Sequence, residues 1–369
     1  MTQREDRFFA ITAPGFETIC QQELSAAGLE NPQVAPGGVE FAGGLRELYL
    51  ANLWSRTATR ILVRFGEFPA RDFPTLYRRL IRLPWGRFIK PDTGCEVRVS
   101  CHHSRLMHSG RVAETTRESI NKALGRSEVS GNSQQKIFLR LDEDRCQVSI
   151  DSSGELLHRR GYRVAKVAAP LRENLAAGCL LALGFDGSRA LIDAMCGSGT
   201  FAIEAGLIAL RRAPGLSRSF AFMHWPKYRQ GLWQQLLQEA RRQECGELPA
   251  AITAVDSNPL AVAAAGQNLQ EAGLAGWIRL ENRRFQELEA PETGGLIICN
   301  PPYGERLGRN ASLQALYRDL GRVYAKTFSH WQGAIVCPEN ALVETTGIRF
   351  VPRLQFSNGG IPVSLLKKP

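Results

Sequence analysis

The sequence has 369 residues, 44% hydrophobic and 22% charged, with a formal net charge of +10. That length accommodates two or three domains, and the composition is that of a globular chain. No apolar run approaches the roughly 20 residues that a membrane-spanning helix needs, and the start, MTQREDRFFA, lacks the apolar region of a signal peptide. A cytoplasmic protein that binds neither membrane nor metal is therefore expected.

The first 150 residues alternate strand and helix patterns. RFFAITA reads as a strand, and FETICQQELSAAG as an amphipathic helix stopped by Gly28. GGVEFAG is a second short strand and LRELYLANLWSR a second helix. RILVRFGEF alternates apolar and polar residues as a half-exposed strand does. A helix around TLYRRLIRL, the strand CEVRVSC and a long helix from about Val112 to Leu124 follow. KIFLRLDEDRCQVSID then reads as two strands about the charged turn DEDR. The spacing predicts two small α+β units, residues 1–45 and 46–155, ahead of a larger region, 156–369.

In that larger region a helix starts within RENLAAGCLLALGF, with Pro170 just ahead of it. Strands and helices then alternate: ALIDAMC, TFAIEAGLIALRR, AAITAVD, PLAVAAAGQNLQEAG, IRLENR, GLIICN, ASLQALYRDLGRVYAKTF and GAIVCP. This order predicts an α/β fold with a parallel, doubly wound sheet. RLQFSNGGIPVSLL carries Asn358-Gly359 between two strand-like runs, a hairpin signal. A parallel sheet finished by an antiparallel hairpin is how the class I, Rossmann-like methyltransferase fold ends. Residues 211–250 are an insertion, expected to be helical, whose purpose the sequence does not reveal.

Of the 46 Lys+Arg and 36 Asp+Glu, residues 46–140 hold 18 and 8, so the whole positive surplus falls in one quarter of the chain. Fifteen of those 18 cations are arginine, whose planar fork suits phosphate, and a nucleic-acid partner is expected. The 9 cysteines form no C-x-x-C pair, and several lie inside apolar runs, as buried reduced thiols do. In CHHSRLMH, adjacent His102 and His103 would point to opposite sides of a strand, which disfavours a metal site.

Two motifs carry chemistry. In LIDAMCGSGTFAIEAG a strand ends at Asp193, the turn Cys196-Gly197-Ser198-Gly199-Thr200 follows, and a helix begins at once. Glycines let the backbone approach a ligand, and such strand ends are where open α/β sheets bind cofactors. The turn matches neither the dinucleotide fingerprint nor the phosphate loop; D-x-x-C-G-S-G-T resembles the S-adenosylmethionine loop of class I methyltransferases. The next strand ends in Asp256, whose carboxylate can accept both ribose hydroxyls of a nucleoside; capping the following helix is its alternative, which Asn258 could also perform. The second motif, IICNPPYGERLG, ends a buried strand in Asn300-Pro301-Pro302-Tyr303. Neither proline can donate to a ladder, so the corner is stiff. The Asn300 side-chain oxygen and the Pro301 carbonyl can accept both hydrogens of an exocyclic amine, drawing its lone pair out of conjugation. Tyr303 offers a ring for stacking on an unstacked base.

Over nearly its whole length the chain resembles the THUMP-domain 23S ribosomal RNA guanine-N2 methyltransferases. FFAITAPGFE, ELSAAGL, LYLANLWSRTATRIL, LLHRRGYR, APLRENLAAG, DAMCGSGTFAIEA, RRAPGL and NPPYGERLG carry the resemblance. It implies a ferredoxin-like unit and a THUMP domain that grip RNA, ahead of an S-adenosylmethionine-dependent methyltransferase that makes N2-methylguanosine. By the same analogy Asp193, Cys196 to Thr200 and Asp256 line the cofactor site, Pro170 to Asn174 (with Glu173) cover the cofactor's methionine end, and Asn300 to Tyr303 face the guanine. Arg159, Arg160 and Arg163 are candidates for RNA backbone contacts, with interdomain ion pairing as the alternative. Arg284 stands where the family commonly places the acid that contacts adenine, leaving Glu281 or Asn282 as substitutes. Some relatives carry a second methyltransferase domain for 7-methylguanosine; an activity of that kind is not expected here. Other readings are a transfer RNA guanosine, adenine N6 or glutamine amide acceptor, or a noncatalytic RNA-binding or assembly factor.

Overall fold

The computed structural model describes residues 5–127, 129, 134–165, 170–303, 311–339 and 341–369. In chain order the N-terminal half comprises β1 (Asp6–Ile11), α1 (Glu17–Ala26), β2 (Gln33–Ala35), β3 (Gly38–Gly43), α2 (Leu45–Trp54), β4 (Arg60–Pro69), α3 (Phe73–Ile81), β5 (Gly94–His102), α4 (Ser109–Ala123), β6 (Gln134–Asp142) and β7 (Arg145–Asp151). All seven strands share one sheet, ordered β2-β3-β1-β4-β7-β6-β5. The two units expected from the sequence, 1–45 and 46–155, thus share one sheet, joined edge to edge by the antiparallel pairing of β1 with β4. β5 and β6 are parallel, which requires a crossover, and α4 supplies it.

The C-terminal half comprises α5 (Glu173–Ala182), β8 (Ala190–Asp193), α6 (Thr200–Ala209), α7 (Gln230–Arg242), β9 (Ile252–Asp256), α8 (Pro259–Glu271), β10 (Arg279–Asn282), β11 (Gly295–Cys299), α9 (Ala311–Arg322), β12 (Gln332–Cys337), α10 (Ala341–Glu344), β13 (Val351–Asn358) and β14 (Ile361–Lys367). Its sheet is ordered β10-β9-β8-β11-β12-β14-β13, parallel except for the terminal hairpin. Two apolar cores sit on its opposite faces, as a doubly wound sheet requires. Every residue of α6 is buried, and apart from Thr200 and Glu204 its sequence is apolar all round. Among the described residues no helix is long and apolar enough to cross a membrane.

The insertion finds its purpose here. Phe220, Phe222, Trp225, Trp233 and Leu236 enter the core of the N-terminal sheet. Phe222 stacks on Tyr49 of α2 at 4.4 Å between centroids, and Trp225 Nε1 donates to Gln135 Oε1 at 2.8 Å. The exchange is reciprocal: Phe16, which precedes α1, packs in the core of the C-terminal sheet, edge-on to Phe356 of β13. Its ring fits only because Gly178 of α5 lacks a side chain; a Cβ there would lie 2.3 Å from it.

Part of the arginine surplus is structural. Arg60 is buried and paired with Asp151, and Arg56 donates through Nη2 to the carbonyls of Leu207 and Arg212 at 3.1 and 2.7 Å. The exposed remainder includes Arg78 and Arg79 on α3, Arg82 beyond its end, and Arg111 and Lys122 on α4.

Replacing Phe16 by alanine should lower the unfolding free energy by about 3–5 kcal/mol in urea titration, the usual penalty for truncating a buried aromatic ring. A loss under about 1 kcal/mol would refute the exchange of cores.

Candidate active site

The strand order reverses direction between β8 and β11, and the C-terminal ends of β9, β8 and β11 lie side by side. Register places Asp193 opposite Ala254 of β9 and Ile298 of β11. Asp256, Asp193 and Asn300 therefore line one edge of the sheet, at the switch point where open α/β sheets form a crevice. The glycine turn leaves β8 at this edge. Cys196 N donates to Val255 O at 2.9 Å, anchoring the turn to β9, while the Cys196 side chain is buried. Gly197 and Gly199 have φ of 54° and 82°, the left-handed region that disfavours a side chain. A Cβ on Gly199 would also stand 3.3 Å from Ala265 of α8. Thr200 opens α6 directly behind.

Asp193 is buried. Its Oδ2 accepts from Ala202 N at 3.3 Å, and its Oδ1 is buried with no protein partner. Burial, and then repulsion from Asp256, push its carboxyl up to about 8. Asp256 receives Gly197 N on Oδ2 and Asn258 N on Oδ1, each at 2.9 Å. A carboxylate offers about four acceptor positions, so room for further donors remains. Asn258 caps α8 through Leu260 N at 3.0 Å, leaving Asp256 to the turn. Asn282 spends its amide on Asp256 O at 2.9 Å, so it braces the strand end. Glu281 is paired with Arg279 and Arg283, and Arg284 is exposed.

β11 stops at Cys299, as the two prolines require. Asn300 Oδ1 is buried without a protein partner. A buried acceptor left unpaired is costly, and it marks a place where a donor belongs. Pro301 is buried and Pro302 exposed, with Tyr317 OH donating weakly to Pro302 O at 3.5 Å. Tyr303 is half-buried, and its hydroxyl accepts from Asn358 Nδ2 at 2.9 Å, which ties the corner to the terminal hairpin. The tail of this motif, residues 304–308, lies outside the described residues.

The hinge arginines need correction. Only Arg159 is exposed, paired with Glu155 four residues earlier. Arg160 is buried, donating to the carbonyls of Leu157 and Arg56 and lying 3.4 Å from Glu204. Arg163 donates to Glu173, Ser198, Thr200 and Leu171. Neither guanidinium is available to an RNA backbone; both knit the hinge to the catalytic region. Asn174 also departs from expectation, because its Nδ2 faces Thr57 O of the N-terminal half at 3.2 Å, while its Oδ1 is buried and unpaired. Pro170 is half-buried ahead of α5.

Asn268 of α8 was missed from the sequence. It is fully buried and bonds both the hinge and the glycine turn. A signal existed: Ala261, Ala264, Ala265 and Asn268 follow the helical spacing of one buried stripe, where an amide needs partners.

A doubly wound sheet ending in an antiparallel hairpin, with a glycine turn and an Asn-Pro-Pro-Tyr corner at its switch point, defines a class I methyltransferase. The profile of the RMKL-like methyltransferase domain (UPF0020) matches residues 160–362, preceded by those of the RlmL ferredoxin-like domain over 7–62 and the THUMP domain over 70–151. The chain belongs to this RMKL-like methyltransferase family. It is 35% identical to a Synechocystis protein named for RNA methyltransferase activity, across 98% of this chain and 96% of that one. It is 38% identical to the ribosomal RNA large subunit methyltransferase K/L of Syntrophotalea carbinolica, covering 98% of this chain but 53% of the relative. The chain thus spans about half the length of the K/L relatives it matches. Among solved structures, a methyltransferase complexed with SAH superposes at a TM-score of 0.91 with 31% identity, over 100% of this chain and 98% of that one. TrmN from Thermus thermophilus shares the fold, at 0.72 and 18% over 98% and 99%.

The raised carboxyl of Asp193 contributes stability that should be lost as pH rises. Between about 4, where a free carboxyl titrates, and about 8, the folded ligand-free chain holds a proton that the unfolded chain has released. The urea midpoint should therefore drop from pH 5 to pH 8, and Asp193→Asn should flatten that drop. An equally steep drop in the variant would assign the dependence to other groups.

Proposed function

We propose that the protein transfers a methyl group from S-adenosylmethionine to the exocyclic N2 of a guanosine in large-subunit ribosomal RNA. The observation that carries this reading is the buried, unpaired Oδ1 of Asn300, held by a rigid corner one strand from the glycine turn. The residues at the crevice suit the cofactor. The turn at 197–199 has no side chain at Gly197 or Gly199, Asp256 retains acceptor capacity for ribose hydroxyls, and Asp193 has a free buried oxygen for a donor group. When bound, S-adenosylmethionine supplies an electrophilic methyl group.

The chain's own residues would do the rest. Asn300 Oδ1 and the Pro301 carbonyl accept the two amine hydrogens, pyramidalise the nitrogen and aim its lone pair at the crevice. No tuned general base is required, since the amine proton becomes acidic once the new N–C bond forms and leaves to water. The prolines keep the acceptors in place before substrate arrives, so little reorganisation is paid for during reaction. Tyr303, fixed by Asn358, offers its ring to the unstacked base. In this reading residues 1–45 and 46–155 hold RNA and residues 156–369 do the chemistry. The exposed arginines on and beyond α3 support the RNA assignment.

Tritium transfer from labelled S-adenosylmethionine to unmodified ribosomal and transfer RNA, digested to nucleosides, tests this. Label is expected in N2-methylguanosine from 23S RNA. Asn300→Ala should reduce it by about 100-fold or more, the scale of losing one preorganised transition-state contact, while binding of S-adenosylhomocysteine persists. Label confined to transfer RNA would overturn the ribosomal substrate, label in adenosine would overturn the base, and cofactor binding without transfer to any RNA would overturn the activity. Alanine at Arg78, Arg79 and Arg82 together should weaken RNA binding at least about tenfold and flatten its salt dependence. An unchanged salt slope would remove α3 from the RNA surface.

A further inference from the structure

Two side chains outside the expected site hold the glycine turn from behind. The Asn268 amide, fully buried on α8, makes four hydrogen bonds: Oδ1 accepts from Val164 N at 3.0 Å and Ala165 N at 2.9 Å, and Nδ2 donates to Ala165 O and Ser198 O, each at 3.0 Å. Arg163 meets the same turn from the other side. Its Nη1 donates to Ser198 Oγ at 2.9 Å, its Nη2 to Thr200 Oγ1 and Leu171 O at 3.0 Å, and its Nε to Glu173 Oε1 at 2.8 Å. Glu173 opens α5 and is itself buried. With Asp256 on Gly197 N, the turn is pinned at 197, 198 and 200.

A glycine turn needs such braces. Gly197 and Gly199 have few steric limits of their own, so an isolated turn of this sequence would sample many shapes and would lose that freedom on binding. Partners that fix it in advance remove this penalty from binding. The geometry is also selective. An aspartate at 268 would put a carboxylate oxygen in place of the Nδ2 donor, facing the carbonyls of Ala165 and Ser198, and a lysine at 163 could keep Glu173 but could not span both hydroxyls and Leu171 O with one ammonium.

We infer that Asn268 and Arg163 are positioning residues that preorganise the 197–200 turn for the cofactor, through the segment 163–165 that connects the two halves of the chain. The inference rests on the reading of this turn as the S-adenosylmethionine site. Neither residue need touch the cofactor.

Calorimetric titration of the full chain with S-adenosylhomocysteine tests it, alongside thermal melting. Asn268→Asp and Arg163→Lys should each weaken Kd by about tenfold or more, the fold-change that one to two hydrogen bonds correspond to. The KM for S-adenosylmethionine should rise in parallel while kcat at saturating cofactor stays within about threefold, because the acceptors at Asn300 are untouched. Arg163→Lys, which retains the charge beside Glu173, decides the matter if Asn268→Asp fails to fold. Melting temperatures that drop while Kd stays at the wild-type value would make both residues merely structural and overturn the inference. A wild-type chain that binds no S-adenosylhomocysteine would instead overturn the cofactor reading beneath it.

Discussion

Two arginines buried at the joint between the halves constrain everything around them. Arg160 is enclosed by the carbonyls of Leu157 and Arg56 and by the carboxylate of Glu204, which also accepts from Tyr162 OH at 3.0 Å. Arg56 reaches across to carbonyls at the end of α6 and just beyond it. Withdrawing two guanidinium ions from water is penalised by several kcal/mol each, and these acceptors offset part of it, with Arg56 Nη1, Arg160 Nε and Glu204 Oε2 buried without a hydrogen-bond partner. Separating the halves would take the carbonyls of Leu207 and Arg212 from Arg56, and the Arg56 carbonyl or the Glu204 carboxylate from Arg160. Glu204 lies on α6, the helix that begins at the glycine turn, and Arg160 precedes Arg163 by three residues. The ionic joint and the turn thus hang from the same short stretch of chain.

This distribution changes what the positive surplus means. Arg56 and Arg60 belong to the basic quarter, yet both are spent on internal acceptors, and Arg64 is paired with Glu40 while its guanidinium lies 3.8 Å over the Phe9 ring. The charge left for an external polyanion is concentrated on and beside α3 and α4. A count of arginines overstates such a surface, because the same planar fork that suits phosphate also suits backbone carbonyls and carboxylates.

Much of the catalytic half was legible because strand ends are marked by chemistry. Asp193, Asp256 and the Pro-Pro corner after Asn300 each terminate an apolar run, and the parallel order brings those ends together without further information. The hairpin at Asn358-Gly359 was legible for the same local reason. What stayed hidden depends on contacts across long separations. Arg160 and Arg163 read either as RNA contacts or as interdomain ion pairs, and nothing within fifteen residues of Arg160 identifies Glu204 as its partner. The insertion gave no sign that its aromatic residues complete a core formed about 150 residues earlier, since apolar spacing identifies a buried face and not what covers it. The short β2 strand escaped because three residues carry too little pattern.

The swapped aromatic residues give the chain a topology of mutual custody. Phe16 belongs by position to the first half and by packing to the second, while Phe222 and Trp233 do the reverse. A cut between the halves therefore cannot yield two closed pieces: the N-terminal fragment would present an unfilled hollow at Tyr49, and the catalytic fragment would carry a hydrophobic flap with nothing to rest on. Unfolding either half would therefore uncover apolar rings of the other.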